Sequence, residues 1–348
     1  MARRPDDEEH MRTAIAAASR ARRSVTPRPW VGAVVVPSDG SPPVVAATEG
    51  RRGPHAEAGA LADAGSRAVG ATVYSTLEPC SHHGVTGPCA DALVEARVGR
   101  VVVGIVDPDP QVAGRGIARL RDAGIEVEVG VCADEVAAQL EPYLVHRRTG
   151  RPYVVLKLAA TMDGRTAAPD ATSRWITGPE ARLDVHRLRA DSDAILVGAA
   201  TVRADDPELT VRLPADEQPP VAPRRVVLGR APEGARIHPA TEVEGDLGDV
   251  LDRLGADGVV QLMVEGGAAV AASFHRAGLV DRYVLYLAPA LFGGDDARAM
   301  FAGPGAATID DVWRGRIDSV VRLGDDVRID LRPVAGGADA PEERGRAA

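Results

Sequence analysis

The sequence predicts two successive α/β domains, each a sheet with helices packed against it. Three observations lead there. The chain has 348 residues, too many for one ordinary core. Short apolar runs rich in Val, Ile and Leu alternate with segments of helical periodicity along its length, the pattern of α/β layers. That alternation breaks at Thr149-Gly150-Arg151-Pro152 and then restarts. The expected domains are residues 1–148 and 149–334, with a Gly/Ala/Glu/Arg tail over 335–348 expected to be disordered. Hydrophobic residues make up 45% of the chain, so disorder is not expected elsewhere.

In the first half, Glu8 to Arg23 places small apolar residues at helical spacing, and Thr26-Pro27-Arg28-Pro29 ends that helix. Trp30 to Val36 reads as a strand, with Val44 to Thr48 its partner across a Gly/Pro/Ser turn. Pro54 opens a helix that Gly65 stops, which puts His55 and Glu57 in its first turn. Ala71 to Leu77 is a strand ended by Glu78-Pro79-Cys80, and Pro88-Cys89 starts a helix running to Ala96. Val101 to Val106 and Ile125 to Val129 are further strands, with a helix from Gly116 to Ala123 between them. This alternation predicts a three-layer sandwich. Gly114-Arg115-Gly116 is either a phosphate cradle or a plain helix start.

The chemistry is carried by His55-Ala56-Glu57, Pro79-Cys80 and Pro88-Cys89. One imidazole and two thiolates supply three ligands to a tetrahedral zinc and leave the fourth position to water. A cysteine at a helix start is favoured as thiolate. Glu57 is well placed to move protons, although alone it would be only a carboxylate stabilised by the helix dipole. His-x-Glu followed by Pro-Cys and a second Cys is the pattern of zinc-dependent nucleobase deaminases. Here the cysteines are unusually far apart, with eight residues between them. His82 and His83 are either further contacts or solvated loop residues. Cys132 reads as packing, and three cysteines make no disulfide framework, which suits a reducing cytoplasm.

In the second half, Tyr153 to Ala159 is a strongly apolar strand carrying Lys157, either an outward-pointing edge residue or a buried charge. Met162-Asp163-Gly164-Arg165 is a turn, and a helix runs from Pro179 to Ala190. Ala194 to Gly198 is a buried strand, and Thr201 to Pro207 reads as a polar loop. Arg225 to Leu228 and Gln261 to Val264 are strands, but Ala231 to Val250 shows none. Glu265-Gly266-Gly267 leads into a helix ending at Arg276, a suitable seat for a pyrophosphate or simply a tight turn. It is not the Gly-x-Gly-x-x-Gly fingerprint. Arg282 to Leu287 is a strand, and Ile317 to Leu323 pairs with Val327 to Leu331. Arg189 and Arg212 are candidates for a bidentate phosphate grip, or ordinary surface charge.

At this point the chain resembles the bacterial bifunctional riboflavin-biosynthesis deaminase–reductase family. The carriers in the first half are His55-Ala56-Glu57, Leu77-Glu78-Pro79-Cys80-Ser81-His82-His83-Gly84, Pro88-Cys89, Asp107-Pro108 and Val112-Ala113-Gly114. In the second they include Asp163-Gly164-Arg165, Trp175-Ile176-Thr177, Asp184-Val185-His186, Asp205-Asp206-Pro207 and Val264-Glu265-Gly266-Gly267. The wide cysteine gap is this family's own. The resemblance implies a cytidine-deaminase-like three-layer α/β/α domain followed by a dihydrofolate-reductase-like α/β domain. It implies zinc-dependent deamination of 2,5-diamino-6-ribosylamino-4(3H)-pyrimidinone 5′-phosphate, then NADPH-dependent reduction of the ribosyl group to ribityl. His55, Cys80 and Cys89 would bind Zn2+, and Glu57 would shuttle protons. Ala159, Trp175, Thr201, Asp205 and the stretch from Gly267 would face NADPH. Ser173, Arg189, Arg212 and Glu265 would face the substrate, with Lys157 nearby. Arg28, Val85 and Asp109 depart from the Asn, Arg or Lys, and Asn of many members, and Arg28 is a candidate for the cation that Val85 lacks.

The expected partners are small phosphorylated pyrimidines, and the expected assembly is a homo-oligomer. A net charge of −9 argues against nucleic acid as the main partner. No apolar run is long enough to span a bilayer, and the first residues lack the apolar core of a secretory signal, so a cytoplasmic enzyme is expected. Two alternatives stand beside this one. The first domain could be a scaffold with structural zinc beside an active reductase. Alternatively, the ligand set could serve a nucleic-acid-editing deaminase, which the acidity and the wide gap oppose.

Overall fold

A computed structural model of the protein describes residues 4–82 and 87–334. The expected tail, His83 and Val85 lie outside the described residues. The chain divides into two compact units. The first runs to Pro152 and takes in Pro219–Val221 and Leu254–Val260, and the second holds the rest.

In chain order, the first unit contains α1 (Asp7–Val25), β1 (Gly32–Val36), β2 (Val44–Ala47), α2 (Ala56–Ala64) and β3 (Thr72–Leu77). It continues with α3 (Cys89–Glu95), β4 (Arg100–Ile105), α4 (Arg115–Asp122), β5 (Glu126–Val129) and α5 (Ala133–Thr149). The sheet order is β2-β1-β3-β4-β5, antiparallel around β1 and parallel from β3 to β5. Helices α1 and α5 contact each other and the sheet, while α2, α3 and α4 contact one another in series and the sheet. The result is the expected helix–sheet–helix sandwich. Its core includes Met11, Val34, Leu93, Val102, Leu120 and Leu140, all fully buried. Each such side chain contributes roughly 1.5–3 kcal/mol of transfer free energy. Gly32 lets α1 lie directly on β1, since a Cβ there would sit 1.9 Å from the Ala14 carbonyl. The start of α1 is clamped as well. Asp7, fully buried, accepts two hydrogen bonds from Arg100 (2.7 and 2.9 Å) and one from the Tyr74 hydroxyl (2.9 Å).

The second unit begins with β6 (Tyr153–Thr161), β7 (Arg165–Ala167), α6 (Pro179–Ala190), β8 (Ala194–Gly198) and α7 (Ala199–Asp205). Then come β9 (Arg224–Leu228), β10 (Thr241–Val243), α8 (Leu247–Ala256), β11 (Gln261–Val264) and α9 (Ala268–Arg276). It closes with β12 (Arg282–Ala288), β13 (Arg298–Ala299), β14 (Gly315–Leu323) and β15 (Asp326–Pro333). The main sheet has the order β10-β9-β8-β11-β6-β12-β15-β14, parallel as far as β12 and antiparallel beyond it.

Of the two readings of Lys157, the edge residue falls away, because β6 lies between β11 and β12. Other expectations are corrected. Thr201 to Asp205 is helical (α7), not loop. The segment 231–250 does hold a strand: β10 pairs in parallel with β9. Helices α5 and α8 were not anticipated. In α5 an internal proline, Pro142, runs against helix rules and masks the apolar spacing of Val136, Leu140, Tyr143 and Leu144.

Candidate active sites

His55 is the N-cap of α2 in extended conformation, Cys80 follows the end of β3, and Cys89 is the first residue of α3. Three chain turns thus deliver three ligands to one point. The His55 Nδ1 lies 3.5 Å from the Cys80 Sγ and 3.2 Å from the Cys89 Sγ, and all three atoms fall within 4.8 Å of one another. The Cys89 backbone N–H donates to the Cys80 sulfur at 3.3 Å. Hydrogen bonding from Cys89 outweighs burial and, with His55, holds the Cys80 thiol down at about 4. Its partner Cys89, as donor, is pushed up.

Glu57, in the first turn of α2, is 3% exposed. Burial pushes its carboxyl up against the pull of His55. Ser75 on β3 has one hydroxyl proton, and the Leu77 carbonyl at 2.7 Å is a better acceptor for it than Glu57 at 3.2 Å. The second Glu57 oxygen, Oε2, is buried with no hydrogen-bond partner. A buried carboxylate oxygen left bare in this way points to a missing partner. Together with one nitrogen and two sulfurs, it fits a zinc ion and its open coordination position.

The cavity over this site is also lined by Arg28, Asp107, Asp109, Tyr143 and Arg147. Arg28 Nη1 donates to the Gly50 and Gly53 carbonyls at 3.2 and 3.0 Å. Asp109 pairs with Arg147 at 3.5 Å, and the Tyr143 hydroxyl reaches both Asp107 oxygens at 3.2 Å. Tyr143 and Arg147 escaped the sequence analysis because α5 did. Their i, i+4 spacing on one helix was the available signal. His82 lines the cavity. Gly114-Arg115-Gly116 is not a free phosphate cradle: the amides of Gly114 and Gly116 donate to Glu78, both at 2.9 Å.

In the second unit a cavity is lined by Lys157, Ala159, Ser173, Trp175, Arg189 and Asp205. Arg212 and His186 complete its polar wall. Thr201, Glu265 and Gly267 are not among the lining residues. Glu265 forms a two-point pair with Arg189 (2.5 and 2.9 Å) and lies 4.0 Å from Lys157. Burial alone would raise the Glu265 carboxyl, but Arg189 and Lys157 pull it down to about 2. Burial lowers the Lys157 pKa. The Arg189 fork is therefore engaged by Glu265. Arg212 is largely exposed and hydrogen-bonds the Thr210 hydroxyl at 2.8 Å. His186, three residues before Arg189, carried the family resemblance in the sequence but had no site role there. Its Nδ1 lies 3.3 Å from the Arg212 amide, and burial with Arg189 and Arg212 pushes the ring down to about 4. Accepting at Nδ1 leaves the hydrogen on Nε2. Gly267, the N-cap of α9, donates its N–H to the Thr201 hydroxyl at 3.1 Å. Trp175 stands 69% exposed with Arg174 and Arg182 over its ring, an open aromatic and cationic surface.

Fold and sites define a zinc-binding deaminase region joined to a reductase domain. Residues 4–105 match the family described as cytidine and deoxycytidylate deaminase zinc-binding region, and residues 152–329 match the RibD C-terminal domain. The riboflavin biosynthesis protein RibD of Mycobacterium tuberculosis is 42% identical over 344 residues, covering 93% of this chain and 96% of that protein. A structure of Acinetobacter baumannii RibD superposes with a TM-score of 0.88 at 38% identity, over 94% of this chain and 99% of that one. A Thermotoga maritima structure, described as a diaminohydroxyphosphoribosylaminopyrimidine deaminase/5-amino-6-(5-phosphoribosylamino)uracil reductase, gives 0.84 at 32% identity, with 94% and 99% covered. The chain belongs to the RibD family of riboflavin biosynthesis proteins and is a bifunctional deaminase and reductase.

Proposed function

We propose that the first unit deaminates 2,5-diamino-6-ribosylamino-4(3H)-pyrimidinone 5′-phosphate by hydrolysis. The second reduces the ribosyl group of the product to ribityl with NADPH. The description of the Thermotoga relative supports both substrates. The observation that carries the proposal is the meeting of His55, Cys80 and Cys89 beside the bare Oε2 of buried Glu57.

In this proposal His55, Cys80 and Cys89 hold the zinc. When bound, zinc supplies a Lewis acid that acidifies water at neutral pH. Glu57 takes the proton of the attacking water and delivers it to the leaving amine, one carboxylate acting as base and then as acid. Its burial keeps bulk water from competing for that proton. In the second unit Ala159, Trp175, Thr201, Asp205 and Gly267 face NADPH, which supplies a hydride. Ser173, Arg212 and Lys157 face the substrate. Glu265 holds Arg189 in place beside it.

The partners are small molecules rather than nucleic acid, and the compartment is the cytoplasm. No helix among the described residues is long and apolar enough to cross a membrane. The assembly is a homo-oligomer, supported by β14, an outer strand of the main sheet with Ile317, Val320 and Val321 exposed.

The deciding experiment incubates the purified protein with the diamino-pyrimidine phosphate, with and without NADPH, and identifies products by mass spectrometry. Ammonia release should occur without NADPH, and the ribityl product only with it. Glu57→Gln should slow deamination by about 10²–10⁴-fold while zinc stays bound and reduction continues. Unimpaired deamination in that variant would remove Glu57 from the mechanism.

A further inference from the structure

We propose that Glu78 is a positioning residue that holds the substrate-facing wall of the deaminase cavity against the turn bearing Cys80. This rests on the first cavity being the deaminase substrate pocket. The Glu78 carboxylate is 3% exposed, and no cation pairs with it among the described residues. Four backbone amides satisfy it instead. Oε2 accepts from Asp107 (3.2 Å) and Gly114 (2.9 Å), and Oε1 accepts from Gly116 (2.9 Å) and Ile117 (3.2 Å). The positive end of α4 faces the same charge.

All four donors lie on one side of the seam, between the end of β4 and the first turn of α4. That segment supplies Asp107, Asp109 and Val112 to the cavity. The metal-ligand side is held independently. The Glu78 N–H bonds the Ile105 carbonyl (3.0 Å), the Ala90 N–H bonds the Cys80 carbonyl (3.1 Å), and the Cys89 N–H bonds the Cys80 sulfur (3.3 Å). The two sides also touch directly, since a Cβ on Gly116 would come within 1.9 Å of the Pro79 carbonyl. Loss of the carboxylate therefore releases the wall and spares the ligands. Glutamine keeps the volume but replaces one acceptor by an NH2 group, setting donor against donor at one pair of amides. Aspartate keeps the charge and loses reach.

The test uses the full-length, zinc-loaded protein with Glu78→Gln and Glu78→Asp. For Glu78→Gln, KM for the diamino-pyrimidine phosphate should rise about tenfold or more, the cost of losing a net bond or two. The kcat should change less than about threefold, zinc should stay stoichiometric, and the reductase rate on deaminated product should hold. Amide exchange at Asp107, Gly114, Gly116 and Ile117 should accelerate. Glu78→Asp should recover part of the KM, and it carries the same test if the glutamine variant does not fold. Unchanged KM and unchanged amide protection would overturn the proposal. So would loss of zinc and kcat at constant KM, which would make Glu78 a prop of the metal turn. If the wild-type protein releases no ammonia from this substrate, the deaminase pocket itself is misread and the proposal falls with it. Wild-type turnover with unchanged variant KM sinks the positioning role alone.

Discussion

Two carboxylates are pulled down to about 2 by neighbouring arginines. Asp7 would be raised by burial, but Arg100, the Arg4 amide and Tyr74 reverse that. Glu265 is lowered in the same way by Arg189 and Lys157. Because both folded-state values lie below the unfolded ones, their contribution is complete above about pH 4.5 and is lost as the pH falls toward 2. Each group is worth about 2–3 kcal/mol across that window. Urea unfolding at pH 7 and pH 3 should show the loss, and Asp7→Asn should shrink it. At neutral pH, Asp7→Asn should cost about 1–3 kcal/mol, because Arg100 loses its buried partner and keeps only Glu126, at 3.2 Å. A variant as stable as the parent would mean that water reaches this pair.

At the scale of elements, α5 links packing to the site. Leu140 is fully buried on it, and Tyr143 and Arg147 reach the deaminase cavity from it. Leu140→Ala should destabilise the protein by about 2–5 kcal/mol in equilibrium unfolding. Tyr143→Phe should instead act locally. It removes the donor to both oxygens of Asp107 and should cost about 1–3 kcal/mol. Deamination should weaken more than reduction, and equal losses in both would place Tyr143 in the core alone.

These elements also mark what the sequence could convey. Helix α6 and strands β8 and β11 were legible to the residue, because apolar runs between Pro, Gly and Asp leave little freedom at their ends. The cluster of His55, Cys80 and Cys89 was legible because His and Cys at such spacings serve few other purposes. Helix α5 was hidden by Pro142, and α7 by the polar residues of Thr201 to Asp205. The Glu265–Arg189 pair joins residues 76 positions apart, a meeting that only the folded sheet arranges. Glu78 read as the end of a strand, since nothing local announces that amides from 107 to 117 will converge on it.

For the whole molecule, two chemistries sit in two separately packed units. Chelation should therefore abolish ammonia release while leaving NADPH oxidation with the deaminated substrate intact, and added zinc should restore the first activity. Joint loss would show that the metal also supports the second unit. Val320→Lys, on the outer strand β14, should lower the molecular mass found by light scattering if the oligomer forms there. An unchanged mass would place the interface elsewhere.

The clamp on the first turn of α1 has a practical reach. Asp7, in the first turn of α1, is fully enclosed and gripped by Arg100 and Tyr74. An exopeptidase working inward from the amino end should stall at this point in the native protein and pass it only after the sandwich has opened. The position of that stall then reports the integrity of the deaminase half, with no substrate needed.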